Sequence, residues 1–94
     1  MESEAMIGHL VVSLAGKDAG KYLVVTGVCE DGRLLVADGR QRKVENPKRK
    51  KKKHLSVLPP KIAAAECGAP LRGNKALRRA ITSLRGELPT DDEN

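Results

Sequence analysis

Lys21-Tyr22-Leu23-Val24-Val25-Thr26-Gly27-Val28 is the stretch on which the fold turns. It is rich in β-branched residues, which suit an extended, pleated backbone. Successive side chains of a strand point to opposite faces, yet here both alternating sets are apolar. A strand with one solvated face would not read this way. The pattern predicts a strand at the centre of a tight, strongly bent sheet, with its second face covered by an element near the C-terminus. Upstream, His-Leu-Val-Val-Ser-Leu over residues 9–14 predicts a partner strand, joined to the first by a loop over 15–20 that carries Gly16 and Gly20. Downstream, Cys29-Glu30-Asp31-Gly32 predicts a turn, and residues 33–37 (RLLVA) a further strand. Asp38-Gly39 predicts a second hairpin turn, leading to a short strand over 41–44, and residues 54–58 (HLSVL) predict the last one.

Four or five short strands with hairpin-length turns predict a mainly β fold: a small antiparallel barrel or half-barrel. Pro59-Pro60 is expected to end it, with irregular chain over 61–73 apart from a helical turn near 62–66. Asn74 is expected to cap a helix from Lys75 to about Arg85, and Gly86 to stop it. Leu77, Ala80, Ile81, Leu84 and Leu88 fall on one stripe of that helix, opposite Lys75, Arg78, Arg79 and Arg85, so the helix can cover the open sheet face. The expected organisation is a flexible leader (1–7), a barrel with a basic loop (8–58), a linker (59–73), an amphipathic helix (74–88) and an acidic tail (89–94).

With 94 residues the chain holds one small domain, which argues against an enzyme needing a walled, dry active site. The net charge is +6 and it is unevenly placed: residues 40–53 carry nine Lys/Arg and one acid, Glu45, a local charge of +8, leaving −2 for the rest. A basic patch on a nearly neutral body points to a polyanionic partner. Six consecutive cations, Lys48, Arg49, Lys50, Lys51, Lys52 and Lys53, follow Pro47. Like charges repel, so this run is expected to be an open, solvated loop that orders against its partner. Arg40, Arg42 and Lys43, beside a hairpin turn, are expected to be held in place; arginine can grip phosphate bidentately, whereas lysine acts as a point charge. Tyr22 is the single aromatic residue. Proteins that read unpaired bases stack them on aromatic platforms, so recognition here is expected to rest on phosphates, backbone shape and hydrogen bonds.

The segment from Val12 to Val25 (VSLAGKDAGKYLVV), a strand, a glycine-bearing loop and a strand, resembles a KOW motif. The segment Asp38-Gly39-Arg40-Gln41-Arg42-Lys43-Val44-Glu45-Asn46-Pro47-Lys48 through Lys53-His54-Leu55 resembles small bacterial KOW-domain RNA-binding proteins. These are similar to a KOW-containing large-subunit ribosomal protein of archaea and eukaryotes. The resemblance covers about residues 8–58 and implies an SH3-like barrel that binds ribosomal RNA, with ribosomal proteins as further partners. The sequence departs from the wider motif at Ala19-Gly20, where a Lys-Gly pair is common. Gly16 and Gly20 have two readings: they make the turn, or they let a phosphate approach backbone N–H groups flanked by Lys17 and Lys21. The expected RNA-binding set is therefore Gly16, Lys17, Gly20, Lys21, Arg40, Arg42, Lys43, the six cations of 48–53 and His54. Exposed arginine on a helix is commonplace, so Arg78, Arg79 and Arg85 extend this set only if the fold brings them to it.

His9, His54, Cys29 and Cys67 lack metal-ligand spacing, and no nucleophile–base set or P-loop stands out, so no metal, cofactor or enzymatic activity is expected. The acidic N-terminus lacks a signal-like apolar segment and no run is long enough to span a bilayer. A cytoplasmic monomer with free thiols, not a membrane protein, is the expectation. The alternatives are a protein-interaction barrel, against which the missing aromatics count, and a non-specific nucleic-acid binder. A nuclear-import signal is a rival reading of the same lysines.

Overall fold

The computed structural model describes residues 6–62 and 73–88. Five strands, β1 (His9–Ser13), β2 (Tyr22–Val28), β3 (Leu34–Ala37), β4 (Lys48–Lys50) and β5 (Leu55–Lys61), precede one helix, α1 (Asn74–Gly86). The strands form a single antiparallel sheet in the order β4-β3-β2-β1-β5. The sheet is open, with β4 and β5 as its edges; a turn of 3-10 helix over Lys52–His54 carries the chain from one edge to the other.

β2 is the middle strand, and both of its faces are buried. Leu23 and Val25 join Val11, Leu34, Val36 and Leu55 in one apolar cluster. Val24 points the other way, into a second cluster with Leu10, Ala37, Ile62, Leu77, Ile81 and Leu84. The expected C-terminal cover is therefore real: α1 lies on the second face, with Leu77, Ile81 and Leu84 inward. Between Val25 and Gly27 the pairing with β3 shifts, so that Thr26 and Gly27 together face the Leu35 side of the ladder. Such a bulge bends a strand and increases its twist. A Cβ on Gly27 would stand 3.1 Å from Leu35 Cδ1, so a larger residue at the bend requires the Leu35 side chain to shift by a few tenths of an ångström. Leu77 is fully buried. Leu77→Ala is expected to cost about 2–5 kcal/mol in chemical denaturation; an unchanged midpoint would make α1 an appendage rather than a lid.

Several expectations are corrected. Residues 41–44 form no strand. The carboxylate Oδ1 of Asp38 accepts from the backbone N–H groups of Arg40 (2.8 Å) and Arg42 (3.0 Å), winding the chain into a turn. The Val44 N–H donates to Asn74 Oδ1 at 2.9 Å. Side chains thus take the donors that a ladder would need, and Asp38-Gly39 opens a ten-residue connection (38–47) instead of a tight hairpin. The fourth strand lies in the basic run itself, pairing Lys50 with Leu34, Arg49 with Leu35 and Lys48 with Val36. β5 does not stop at Pro59-Pro60 but continues to Lys61. Proline is tolerated there because β5 is an edge, and the pairing with β1 is irregular between His9 and Val11. His9 Nδ1 lies 2.9 Å from the Leu58 carbonyl oxygen within that irregularity. Asn74 is the first helical residue, not a side-chain cap; the preceding position is Gly73. Of the expected leader, Met6 and Ile7 pack against the inner cluster. The helical turn expected near 62–66 falls, beyond Ile62, outside the described residues, as do Cys67 and the acidic tail.

Candidate nucleic-acid interface

A strand made of lysine and arginine needs an internal counter-charge, and Asp18 supplies it. Asp18 ends a turn of 3-10 helix (Gly16–Asp18) in the β1–β2 loop and is 3 % exposed. Its Oδ2 lies 3.2 Å from an Arg42 terminal nitrogen and 3.9 Å from Lys50 Nζ. Lys50 Nζ also donates to Ser13 Oγ (3.1 Å) and to the Ala15 carbonyl (2.9 Å). One acid thus ties the β1–β2 loop to both the 38–47 connection and β4. Alternation along the strand puts Arg49 on the face opposite Lys50, which turns inward; Lys48 shares the face of Lys50 but stays exposed at the start of β4.

This network divides the expected site. Lys50 is buried and Arg42 is committed to Asp18, so neither is a free phosphate contact. The basic run is not an open loop but an edge strand followed by the 3-10 turn. Lysine on an edge strand also blunts unwanted strand pairing, which is reason enough for some of it. Arg40, Lys43, Lys48, Arg49, Lys51, Lys52 and Lys53 are exposed, and none is ion-paired among the described residues.

The glycines of the β1–β2 loop both make turns, at φ +79° for Gly16 and +86° for Gly20. The N–H groups of Ala19, Gly20 and Lys21 donate to the carbonyls of Gly16, Ser13 and Asp18. Those three amides are consumed by the loop and do not form a phosphate cradle; the turn reading of Gly20 holds. Lys17 is exposed at the tip.

Two grooves lie beside this loop, and of the exposed cations of residues 40–53 Arg40, Lys48, Arg49 and Lys51 line them, whereas Lys43, Lys52 and Lys53 do not. The first, about 360 Å³, runs between Ala15-Gly16 and β4 and is lined by Arg33, Lys48, Arg49, Lys51 and His54. The second, about 440 Å³, runs between the β1–β2 loop, the 38–47 connection and α1, and is lined by Lys21, Arg40, Arg78 and Arg85 with Tyr22. Gly16 and Gly20, read together in the sequence, belong to separate grooves. No protein-family model and no curated protein matches the chain.

The second groove is built with care. Gly39 adopts φ +79°, and a Cβ there would meet the Asn74 carbonyl at 2.5 Å, so the connection lies directly on the start of α1. An Arg78 terminal nitrogen donates to the Gly39 carbonyl at 2.7 Å. Asn74 spans the same junction, accepting from the Val44 N–H and donating to Glu45 Oε1. That bond to Asn74, helped by a backbone hydrogen bond and by Lys43, holds the Glu45 carboxyl below its usual pKa. Lys21 Nζ donates to Gln41 Oε1.

Sequence reasoning missed Asp18 and Arg33. Asp18 had a signal: an acid beside a loop in so basic a chain is a candidate internal partner, since buried charge must be paired. Arg33 had none, because it reaches the first groove only through the sheet. Arg78 and Arg85, left undecided by the sequence, line the second groove, whereas Arg79 lines neither. Among the described residues no cluster of His, Cys, Asp and Glu could hold a metal ion, and no helix is long and apolar enough to cross a membrane.

Proposed function

We propose that the protein binds structured RNA, ribosomal RNA foremost, through phosphate contacts along the two basic grooves. In this reading the curved sheet is an SH3-like half-barrel of KOW type, whose open edges are brought together by the 3-10 turn of Lys52–His54. The observation that carries the proposal is the partition of charge. The fold uses Arg42 and Lys50 to neutralise its own buried acid, yet leaves seven cations of residues 40–53 exposed and without an ion-pair partner among the described residues. A chain that needed these residues for structure alone would pair more of them. Arg33, Arg78 and Arg85 add to the same two grooves from outside that segment.

The test is a salt titration of binding to a structured ribosomal RNA fragment and to a homopolymer. If about five phosphates are neutralised, log K falls with log salt at a slope of roughly −3.5 to −4.5. A variant with Lys48, Arg49, Lys51, Lys52 and Lys53 changed to Ala, keeping Lys50, is expected to weaken both RNAs alike and to flatten the slope. Arg40→Ala is expected to weaken the structured RNA more than the homopolymer, because Asp38 fixes the Arg40 backbone and a guanidinium can grip phosphate bidentately. A full salt slope in the five-fold variant sinks the proposal. Equal loss on both RNAs for Arg40→Ala turns it toward a non-specific binder.

A further inference from the structure

The chain owns one aromatic ring outside histidine, and the fold places it beside a cation in a groove. The Arg85 guanidinium carbon sits 4.3 Å from the centroid of the Tyr22 ring. Tyr22 is half-buried and packs against the core beneath α1, so the platform cannot swing away. Arg85, one turn beyond Ile81 on the same helix, is exposed on its other side. Tyr22 and Arg85 line not only the 440 Å³ groove but also a second hollow of about 340 Å³, formed with Thr82, Gly86 and Leu88.

We infer that this groove holds one unpaired nucleotide of the bound RNA, its base stacked on the Arg85–Tyr22 pair and its phosphate held by Arg40 and Lys21. The inference rests on the RNA-binding reading and gives that binding a site that phosphate contacts alone do not require. A guanidinium plane laid on an aromatic ring presents a second flat face, and bases stack on guanidinium planes as they do on rings. The groove's size is that of ordinary small-ligand sites, which run to roughly 300–1,000 Å³. Its charge suits a phosphodiester. Among the described residues Asp38 is the sole acid lining it, and one oxygen of that acid already accepts two backbone N–H groups. Arg78, fixed on the Gly39 carbonyl, sets the distance between the 38–47 connection and α1, and so the width of the slot. The first groove lacks Tyr22, and no cation–ring pair like that of Arg85 and Tyr22 lies in it among the described residues.

Tyr22 makes the test clean, because its ring signals in an NMR spectrum report on this groove alone among Phe, Tyr and Trp. The full chain is titrated with a short single-stranded RNA and with an abasic oligonucleotide of equal length and charge. The base-bearing strand is expected to bind about tenfold more tightly, toward the lower end of the range for one stacked base, and to shift the Tyr22 ring resonances. The abasic strand is expected to bind with the same salt slope and leave those resonances nearly in place. Arg85→Gln, which stays polar but loses the charge and the guanidinium plane, should abolish the tenfold preference; Tyr22→Phe should retain it, which separates stacking from a fold defect. Equal affinity for the two strands, or binding that leaves the Tyr22 resonances unmoved, overturns the nucleotide site while leaving the RNA-binding proposal standing. Failure of both strands and of structured RNA to bind overturns both.

Discussion

Asp18→Ala is expected to destabilise the domain by about 3–5 kcal/mol, the usual consequence of removing one partner from a buried ion pair. The substitution takes away little apolar contact. Its effect comes from Lys50, which would keep its charge in a site 9 % exposed with only Ser13 Oγ and the Ala15 carbonyl as partners. Arg42, about a third exposed, can turn to water and contributes less. Asp18→Ala combined with Lys50→Met is therefore expected to recover much of the loss, since a methionine of similar length leaves no orphan charge. Chemical denaturation of the parent, the two single variants and the double variant forms a cycle that measures the coupling. Additive losses would show that Asp18 and Lys50 act independently, and the account of β4 as a strand held by its counter-charge would be wrong. RNA affinity offers a second reading. Because Lys50 is internal, Lys50→Met should leave the salt slope of RNA binding unchanged, whereas removal of exposed Lys48 and Arg49 should lower it.

Val24→Asp is expected to unfold the domain outright. Val24 is fully buried at the middle strand, in an apolar cluster with Leu10, Leu77, Ile81 and Leu84. A chain of this length has stability on the order of 5–10 kcal/mol, and an unpaired buried charge consumes several kcal/mol of it even after protonation. The expected spectrum is the narrow amide dispersion of an unfolded chain. Val24→Ala, which removes volume without adding charge, should stay folded with a lower midpoint. A native-like spectrum for the aspartate variant would mean that α1 lifts off to admit water, and that the second face of β2 is not core.

These two sites differ in how far the sequence disclosed them. The burial of Val24 was legible in Tyr22-Leu23-Val24-Val25, because a strand apolar on both sides has no other way to leave water than between two layers. The same logic located the covering helix, since the stripe of Leu77, Ile81 and Leu84 needed an apolar surface to meet. That Leu23, Val25, Leu34 and Val36 share one inner cluster came from the fold, since both alternating sets of the central strand are apolar. Glycine and aspartate marked the turns, as local backbone preference allows.

Local pattern failed where residues distant in sequence meet. Six consecutive cations repel one another in isolation, and the sequence accordingly reads as an open loop. In the fold, an acid more than thirty residues away stands under Lys50 and makes an edge strand of the same residues. The short strand expected over 41–44 vanished for a similar reason: Asp38 and Asn74 take its backbone donors, and Asn74 comes from the far helix. The sequence by itself determined the β class, the central strand, the amphipathic helix and the concentration of positive charge in one segment. Those rest on periodicity and composition, which are properties of neighbours along the chain. Which cations are spent internally, which stay exposed, and the meeting of Tyr22 with Arg85 in one groove were decided only by the tertiary structure. Pairing of charges and stacking of planes depend on separations of a few ångströms, and only the folded path of the backbone sets those.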